Sequence, residues 1–357
     1  MKILFTGVYP HLYGGLERFA ERAAAALRAQ GHAVDVAGDP PAELDDCDFV
    51  LMQKIPPTVA DLRRLKARYG ERLHFYAHDH ELYCLRRHYY DPLRRLCDRT
   101  YSFLPCRACA AVTRPSYFVR NLTRPLCAFL DEMREVKAFT PAKYIKDNLV
   151  RNGFPPERVK VLYPLFTRPC RDEAASHRWM PDGRLRILFM GQLIAGKGAG
   201  LLLDAVRLMK SPRTLTIAGA GRDEAKLRRR APEGVEFLGW RENAQRFFRD
   251  ADVCALPSLW NEPFGTVGAE ALSHGVPVVT FDVGGLSDWL VDGKTGLFAK
   301  APDGATRVAA ARTPEAFAAA LDAAASPVRL AEMGANALGI VDRLFDPDAF
   351  IRELLQW

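Results

Sequence analysis

The sequence predicts a doubly wound α/β protein built as two domains, and three observations predict it. Short apolar runs alternate with segments of helical period along nearly the whole chain, glycine-rich loops follow several of the runs, and 357 residues call for two cores at roughly 150 residues per domain. The composition, 48% hydrophobic and 26% charged with 26 Gly and 24 Pro, is that of a globular chain and excludes disordered, collagenous and coiled-coil classes. No apolar run approaches the roughly 18 residues of a membrane span. Met1 to Thr6 reads as a first strand and not as a leader, so a cytoplasmic location is expected.

Each element has its own warrant. Lys2 to Thr6 is an apolar run, a loop follows to Gly15, and Leu16, Phe19, Ala20, Ala23, Ala24 and Leu27 recur at helical spacing until Gly31 stops the helix. Ala33 to Ala37 is the next strand, and strand–loop–helix–strand makes a βαβ unit with a parallel sheet. Phe49 to Met52, a helix from Val59 to Tyr69, and Leu73 to Ala77 continue the alternation. After an irregular stretch, Pro141 to Asn152 reads as a helix and Val159 to Leu162 as a strand. Pro164, Pro169, Pro181 and Gly183 break any pattern and mark a linker. A second series then begins: strands at 185–190, 215–218, 235–238, 253–256 and 276–281, with helices between them, among them Val267 to His274. These strands are apolar throughout, as expected where helices cover both faces of a sheet. The expected organisation is a first domain at 1–166 with an insert at 84–124, a linker at 167–184, a second domain at 185–340, and a C-terminal helix within 341–357 packing back toward the first domain.

In open α/β sheets, ligands bind beyond the carboxyl ends of the strands, which directs attention to the loops after the apolar runs. Gly14-Gly15 precedes the first helix, where residues without Cβ let backbone N–H groups approach an anion; an ordinary tight turn is the alternative. Gly191-Gln192-Leu193-Ile194-Ala195-Gly196-Lys197-Gly198 follows a strand and offers a phosphate both backbone and one cation, Lys197. It is not a Walker A loop, since Gly198 stands where Ser or Thr is needed. Gly219-Ala220-Gly221 lacks the third glycine of a dinucleotide fingerprint, Glu224 standing there, which argues against an NAD-dependent oxidoreductase. Glu262 and Glu270 stand eight residues apart around Phe264-Gly265-Thr266, and carboxylates accept hydrogen bonds from vicinal hydroxyls. Lys197 and Glu262 are both expected in solvent-accessible loops. His78 directly follows the strand at 73–77.

Taken together these motifs resemble the retaining glycosyltransferases of family 4: Gly14-Gly15 with Glu17-Arg18, Gly31-His32-Ala33-Val34, Gly191 to Gly198, Gly219-Ala220-Gly221, Glu262 and Glu270, Gly275 to Val279, Gly284-Gly285 and Asp292-Gly293-x-x-Gly296 run in order along the chain. The resemblance implies the GT-B fold of two facing Rossmann-like domains and a nucleotide-diphosphate sugar as donor. It implies that Lys197 grips the donor diphosphate, Glu262 the sugar hydroxyls and Glu270 the ribose. It places Gly15 with Gly14 at the diphosphate across a cleft, Gly191, Gln192 and Gly219 around the donor, and backbone amides of Phe264, Gly265 and Thr266 at the phosphates. His78 falls near the transferred sugar, and with Lys197 and Glu262 makes the catalytic set. No catalytic metal or other cofactor is implied, and the acceptor is a glycan, a lipid-linked glycan or a small molecule. Two departures stand out. Gln192 occupies a position where the family has Arg, and Ser287-Asp288 stands where it has Pro-Glu. A catalytically silent sugar-nucleotide-binding scaffold is the alternative; retention of Lys197, Glu262 and Glu270 favours the enzyme.

The net charge of +7 is concentrated. Between residues 84 and 124 there are nine arginines (86, 87, 94, 95, 99, 107, 114, 120 and 124) against Asp91 and Asp98, an excess equal to that of the whole chain. With Tyr89, Tyr90, Tyr101 and Phe103, this stretch suits an anionic acceptor or an anionic membrane surface, so attachment to the inner face of the cell membrane is expected. It lacks any recognised nucleic-acid motif, and no nucleic acid is expected. Four of the eight cysteines, Cys84, Cys97, Cys106 and Cys109, fall in the same stretch, and one C-x-x-C knuckle with two more thiols could close a structural zinc site; reduced packing thiols are the alternative.

Overall fold

The structure, a computed structural model of the chain, describes residues 1–9, 14–39, 46–86, 96–113, 126–166, 177–242 and 244–357. The described residues form two compact units, Met1–Leu165 with Phe345–Trp357, and Phe166–Leu344. Six of the nine clustered arginines (87, 94, 95, 114, 120 and 124), Tyr89, Tyr90, Asp91, Cys170 and most of the expected linker lie outside the described residues.

In the first unit, β1 (Lys2–Thr6), α1 (Gly15–Ala29), β2 (Ala33–Ala37), β3 (Phe49–Met52), α2 (Val59–Tyr69) and β4 (Leu73–Tyr76) follow the predicted alternation. Helix α1 buries Phe19, Ala20, Ala23, Ala24 and Leu27 along one face, and Gly31, at φ +83°, ends it. Helix α2 starts from a reciprocal cap: Asp61 N–H donates to Thr58 Oγ1, and Thr58 N–H to the Asp61 carboxylate. The stretch predicted to be irregular contains two helices and a strand: α3 (Phe103–Thr113), α4 (Leu126–Met133) and β5 (Lys137–Thr140). Helix α3 escapes a reading by periodicity because the large apolar residues Phe103, Leu104 and Val112 are exposed, while the small Ala110 is the buried one. β5 is four residues long and begins with a lysine. α5 (Lys143–Arg151) and β6 (Val159–Val161) complete the unit. Its strands are all parallel, in the order β2-β1-β3-β4-β5-β6. The order reverses between β1 and β3, which marks where a ligand crevice belongs.

The second unit holds β7 (Leu185–Met190), α6 (Ala199–Leu208), β8 (Arg213–Ala218), α7 (Glu224–Arg230), β9 (Val235–Gly239), β10 (Val253–Leu256), α8 (Thr266–Ser273), β11 (Val278–Thr280), β12 (Gly296–Phe298), α9 (Pro314–Ala324) and α10 (Pro327–Leu344). Its parallel sheet runs β12-β11-β10-β7-β8-β9, the doubly wound order, reversing between β7 and β10. Residues 177–180, read from sequence as linker, are tied to this unit through Asp252. This fully buried carboxylate accepts hydrogen bonds from Met180 N–H (3.0 Å) and from Arg186 Nε (3.0 Å) and Nη2 (2.7 Å), with His177 Nε2 at 3.5 Å. These donors hold Asp252 down at about 2 against the desolvation that burial imposes.

The last helix, α11 (Pro347–Leu355), returns to the first unit. Phe350, Ile351 and Leu354 join Phe19, Ala23, Leu27 and Phe139 in one apolar cluster. Trp357 stacks edge-on to Phe139 at 4.8 Å, and its carbonyl accepts from the buried His74 ring at 3.3 Å. No helix among the described residues is long and apolar enough to cross a membrane.

Candidate functional site

The reversal point of the second sheet is framed by the loops after β7 and β10, and there the structure brings together residues 65 positions apart. Lys197 Nζ donates to Glu262 Oε1 at 2.7 Å. Trp260 Nε1–H donates to the same oxygen at 2.9 Å, and the Ser258 hydroxyl also donates to it. Glu262 is 3% exposed and not solvent-accessible as expected, because three donors converge on it and let the carboxylate stay charged inside the unit. Burial alone would raise its pKa; the charge and hydrogen bond of Lys197, with Ser258 and Trp260, hold it below the ordinary glutamate value.

Backbone geometry locks the two loops together. Leu259 N–H donates to Gly196 O at 2.8 Å, and Trp260 lies over Gly196, whose hypothetical Cβ would fall 2.1 Å from the indole. Gly198, at φ +76°, starts α6 with Pro257 O so near that a Cβ would meet it at 1.8 Å, so only glycine fits. Lys197 sits 5.2 Å from the Trp260 ring, a cation–π contact that fixes the ammonium beside the carboxylate. The Gly284-Gly285 turn closes on the same place: Gly285 N–H donates to Glu262 O at 2.8 Å.

The other predicted residues of this unit take separate positions. Gly219 abuts Gly191, whose carbonyl would be 1.9 Å from a Cβ there, so the two turns pack backbone to backbone. Gln192 is exposed on its loop. Phe264 is buried and stacks with Phe166 at 6.0 Å, while its carbonyl accepts from Trp289 Nε1 at 2.6 Å. Gly265 at φ +74° starts α8, whose first residue is Thr266. Glu270, 1% exposed, lies one turn inside α8 and faces Cys254 of β10. Burial and then the Glu270 charge push the Cys254 thiol up to about 12. Ser287 accepts from Arg307 Nη2 at 2.6 Å, and Arg307 also pairs with Asp282 at 2.9 Å, so the Ser287-Asp288 departure sits beside a cation.

In the first unit, Gly14 N–H is taken by the Glu17 carboxylate at 3.0 Å, and Glu17 faces Lys54 Nζ at 3.6 Å, so that amide is not open to an anion as the glycine pair suggested. Gly15 begins α1 beside it. His78 is partly buried just beyond β4, its Nε2 2.5 Å from Gln53 Oε1. Desolvation and then the nearby Lys54 charge lower the His78 pKa to about 3, so the ring is neutral at physiological pH.

The expected zinc ligands are not assembled. Among the described residues no group of three or more His, Cys, Asp or Glu is placed to hold a metal ion. Cys84, Cys97 and Cys106 pack against the apolar core of the first unit, burial pushing the thiols of Cys97 and Cys106 up toward the protonated form. Cys106 Sγ accepts from Ser102 N–H at 3.4 Å, and Cys109 Sγ from Arg86 Nη1 at 3.8 Å.

Sequence reasoning missed Ser258, Trp260 and Gln53. The first two stand within four residues of Glu262, and a tryptophan in a loop between apolar runs was the available signal. Gln53 gave none.

Residues 184–326 match the family of Glycosyl transferases group 1. D-inositol 3-phosphate glycosyltransferase of Arthrobacter sp. (strain FB24) is 33% identical over 154 residues, covering 37% of this chain and 35% of that protein. Glycogen synthase of Mycobacterium tuberculosis is 34% identical over 142 residues, 37% of this chain and 34% of its own length. The chain thus spans about a third of the length of these curated relatives. Among solved structures, HepE of Anabaena in complex with UDP superposes with a TM-score of 0.68 at 16% identity, covering 100% of this chain and 99% of HepE. WaaG, a glycosyltransferase involved in lipopolysaccharide biosynthesis, superposes with a TM-score of 0.62 at 17% identity, covering 100% of both chains. The chain therefore has the GT-B fold, and its residues 184–326 match the family of Glycosyl transferases group 1.

Proposed function

We propose that the protein is a retaining glycosyltransferase of family 4 that moves a sugar from a nucleotide-diphosphate donor to a glycan, lipid-linked or small-molecule acceptor. The observation that carries this reading is the pairing of the buried Glu262 with the partly exposed Lys197 at the reversal point of the second sheet. Burying a carboxylate against a cation is costly and contributes little net stability, so such a pair is a candidate for ligand work. In this pair each charge neutralises the other. When a donor binds, its diphosphate competes with Glu262 for the Lys197 ammonium, and Glu262, still held by Ser258 and Trp260, is released to accept hydrogen bonds from sugar hydroxyls. Lys197 and the N–H groups at the start of α8 then meet the charge that develops on the leaving diphosphate, without a catalytic metal. Glu270 takes the ribose hydroxyls, and His78 the transferred sugar. The structural relatives that contain UDP and UDP-glucose support a uridine nucleotide as the first donor to try.

A thermal-shift series with UDP, GDP, ADP and their glucose conjugates tests this. One nucleotide class should raise the melting temperature in proportion to RT ln(1 + [L]/Kd). A flat response to all six refutes donor binding. With a competent acceptor, NMR coupling constants should show the donor's anomeric configuration kept in the product; inversion refutes the retaining assignment.

The same reading places the enzyme at an anionic membrane surface through the arginine-rich stretch and α3, whose Phe103, Leu104 and Val112 are 49%, 73% and 75% exposed beside Arg107. Co-sedimentation with liposomes should rise with anionic lipid and fall with salt. Salt-independent absence of binding refutes the attachment and leaves the transferase reading untouched.

A further inference from the structure

The strand order of the first sheet reverses between β1 and β3, and Gln53 is the residue that follows β3. Its N–H donates to Thr6 O at 2.8 Å, which fixes its backbone at the carboxyl edge of the sheet, and its side chain is buried, with the residue 2% exposed. His78 leaves the neighbouring strand at the same edge. Its ring packs against Phe19 and Tyr76, with centroids 5.1 and 4.5 Å away, and meets the Gln53 amide at 2.5 Å. That bond uses half of each group. Among the described residues Gln53 Nε2 has no hydrogen-bond partner although it is buried, and no hydrogen bond reaches His78 Nδ1. A buried amide left without an acceptor is uncommon in a folded protein and calls for an explanation.

With Nε2–H donating to Gln53 Oε1, the ring keeps an acceptor at Nδ1 and the amide keeps donors at Nε2. Exchanging the amide oxygen and nitrogen exchanges the two roles and again leaves one donor and one acceptor. An alcohol hydroxyl answers both, because its oxygen accepts while its proton donates. A phosphate or carboxylate has no proton to give, and Lys54, the cation whose charge reaches His78, already faces Glu17. The neutrality of the ring preserves its lone pair. We propose that Gln53 is a specificity-determining residue which, paired with His78, binds one hydroxyl of a sugar substrate, and which also positions the His78 ring. Taking that hydroxyl to belong to a sugar rests on the proposed transferase activity; the pairing of the two side chains does not.

The test uses the full chain labelled with 15N-histidine, together with Gln53→Leu, which keeps the volume and removes the amide, and Gln53→Glu, which keeps an acceptor for the ring but has no amide donor. Long-range 1H–15N correlation should show His78 as a single neutral tautomer from pH 5 to 8 in the wild type, with its Nε2–H kept toward the carboxylate in Gln53→Glu, where the added charge raises the ring's pKa, and as a tautomer mixture in Gln53→Leu. By calorimetry, both variants should keep UDP affinity within about twofold. If the hydroxyl is the donor's, both should bind UDP-glucose about tenfold more weakly; if it is the acceptor's, UDP-glucose affinity stays and the acceptor KM rises by a similar factor. A wild-type ring that already populates both tautomers, or variants whose sugar-dependent affinity and acceptor KM equal the wild type, overturn the proposal. A wild type that binds no nucleotide sinks the transferase reading instead, and the ring signal then judges the pair.

Discussion

Replacing Lys197 by alanine should unfold the second unit more easily, and the structure says by how much and at which pH. The substitution removes the ammonium 2.7 Å from Glu262 Oε1 and leaves a carboxylate of 3% exposure with only Ser258 and Trp260 as donors. Breaking a fully buried ion pair costs about 3–5 kcal/mol. The Lys197 side chain is 24% exposed and two hydrogen bonds survive, so about 2–3 kcal/mol is expected at pH 7. The sign of the pH dependence follows from the same contacts. In the wild type Lys197 holds the Glu262 pKa below its ordinary value, so the contribution of Glu262 is present at neutral pH and is lost as acid protonates it. In Lys197→Ala desolvation dominates, the folded-state pKa rises above the unfolded value of about 4.3, and the deficit shrinks as pH falls from 7 toward 4. Adding Glu262→Gln removes the stranded charge and should recover most of the loss, a coupling of about 2 kcal/mol in the double-mutant cycle. Urea unfolding followed by tryptophan fluorescence is a suitable assay, since Trp179, Trp240, Trp260 and Trp289 lie in the second unit and only Trp357 in the first. A deficit below about 0.5 kcal/mol at pH 7, a deficit that does not shrink by pH 5, or a double variant as weak as the single one would each refute the reasoning.

Two further predictions concern the same unit. Asp252→Asn should lower stability at pH 7, and because the folded pKa of about 2 lies below the ordinary 3.8, the wild-type advantage of about 2 kcal/mol should fade as pH drops from about 4 to about 2; a pH-independent gap between the proteins argues against a charged Asp252. Gly268→Ala should cost about 1–3 kcal/mol in thermal unfolding, because its Cβ would stand 2.4 Å from the buried Trp289 ring, itself fixed by a hydrogen bond to Phe264 O; an unchanged melting temperature would mean that the indole has room to move.

The sheets were legible because their strands are buried on both faces: β1, β3, β4, β7 and β10 read as apolar runs without any long-range information. Helix α3 was not, since Phe103, Leu104 and Val112 face outward and blur the face that buries Ala110, and β5, Lys137–Thr140, carries two apolar residues where β3 carries four. Of the site, the loops were legible through their glycines and the residue types through the family resemblance. The pairing was not. Sequence gives Lys197 and Glu262 as two separate ligand contacts in open loops, and only the approach of the β7 and β10 loops reveals one pair, with the carboxylate buried and Ser258 and Trp260 around it. Gln53 has no sequence signal, because its meaning comes from β3 and β4 lying side by side. The cysteine cluster left two readings open, a zinc site and packing thiols; among the described residues no group of three is placed to hold a metal ion, and Cys84, Cys97 and Cys106 pack against the apolar core.

The return of α11 to the first unit has a consequence for how the chain is made. Phe166–Leu344 is one uninterrupted segment and can close its own core as soon as it has left the ribosome. The first unit cannot, although its sheet is synthesised earlier, because Phe350, Ile351 and Leu354 complete the cluster around Phe19, Leu27 and Phe139. At about 5–20 residues per second, the interval between the two parts is on the order of ten to forty seconds. For that time the nascent sheet keeps the face that α11 will cover open to solvent and to other chains. The late half thus finishes first, and the early half waits for the final helix.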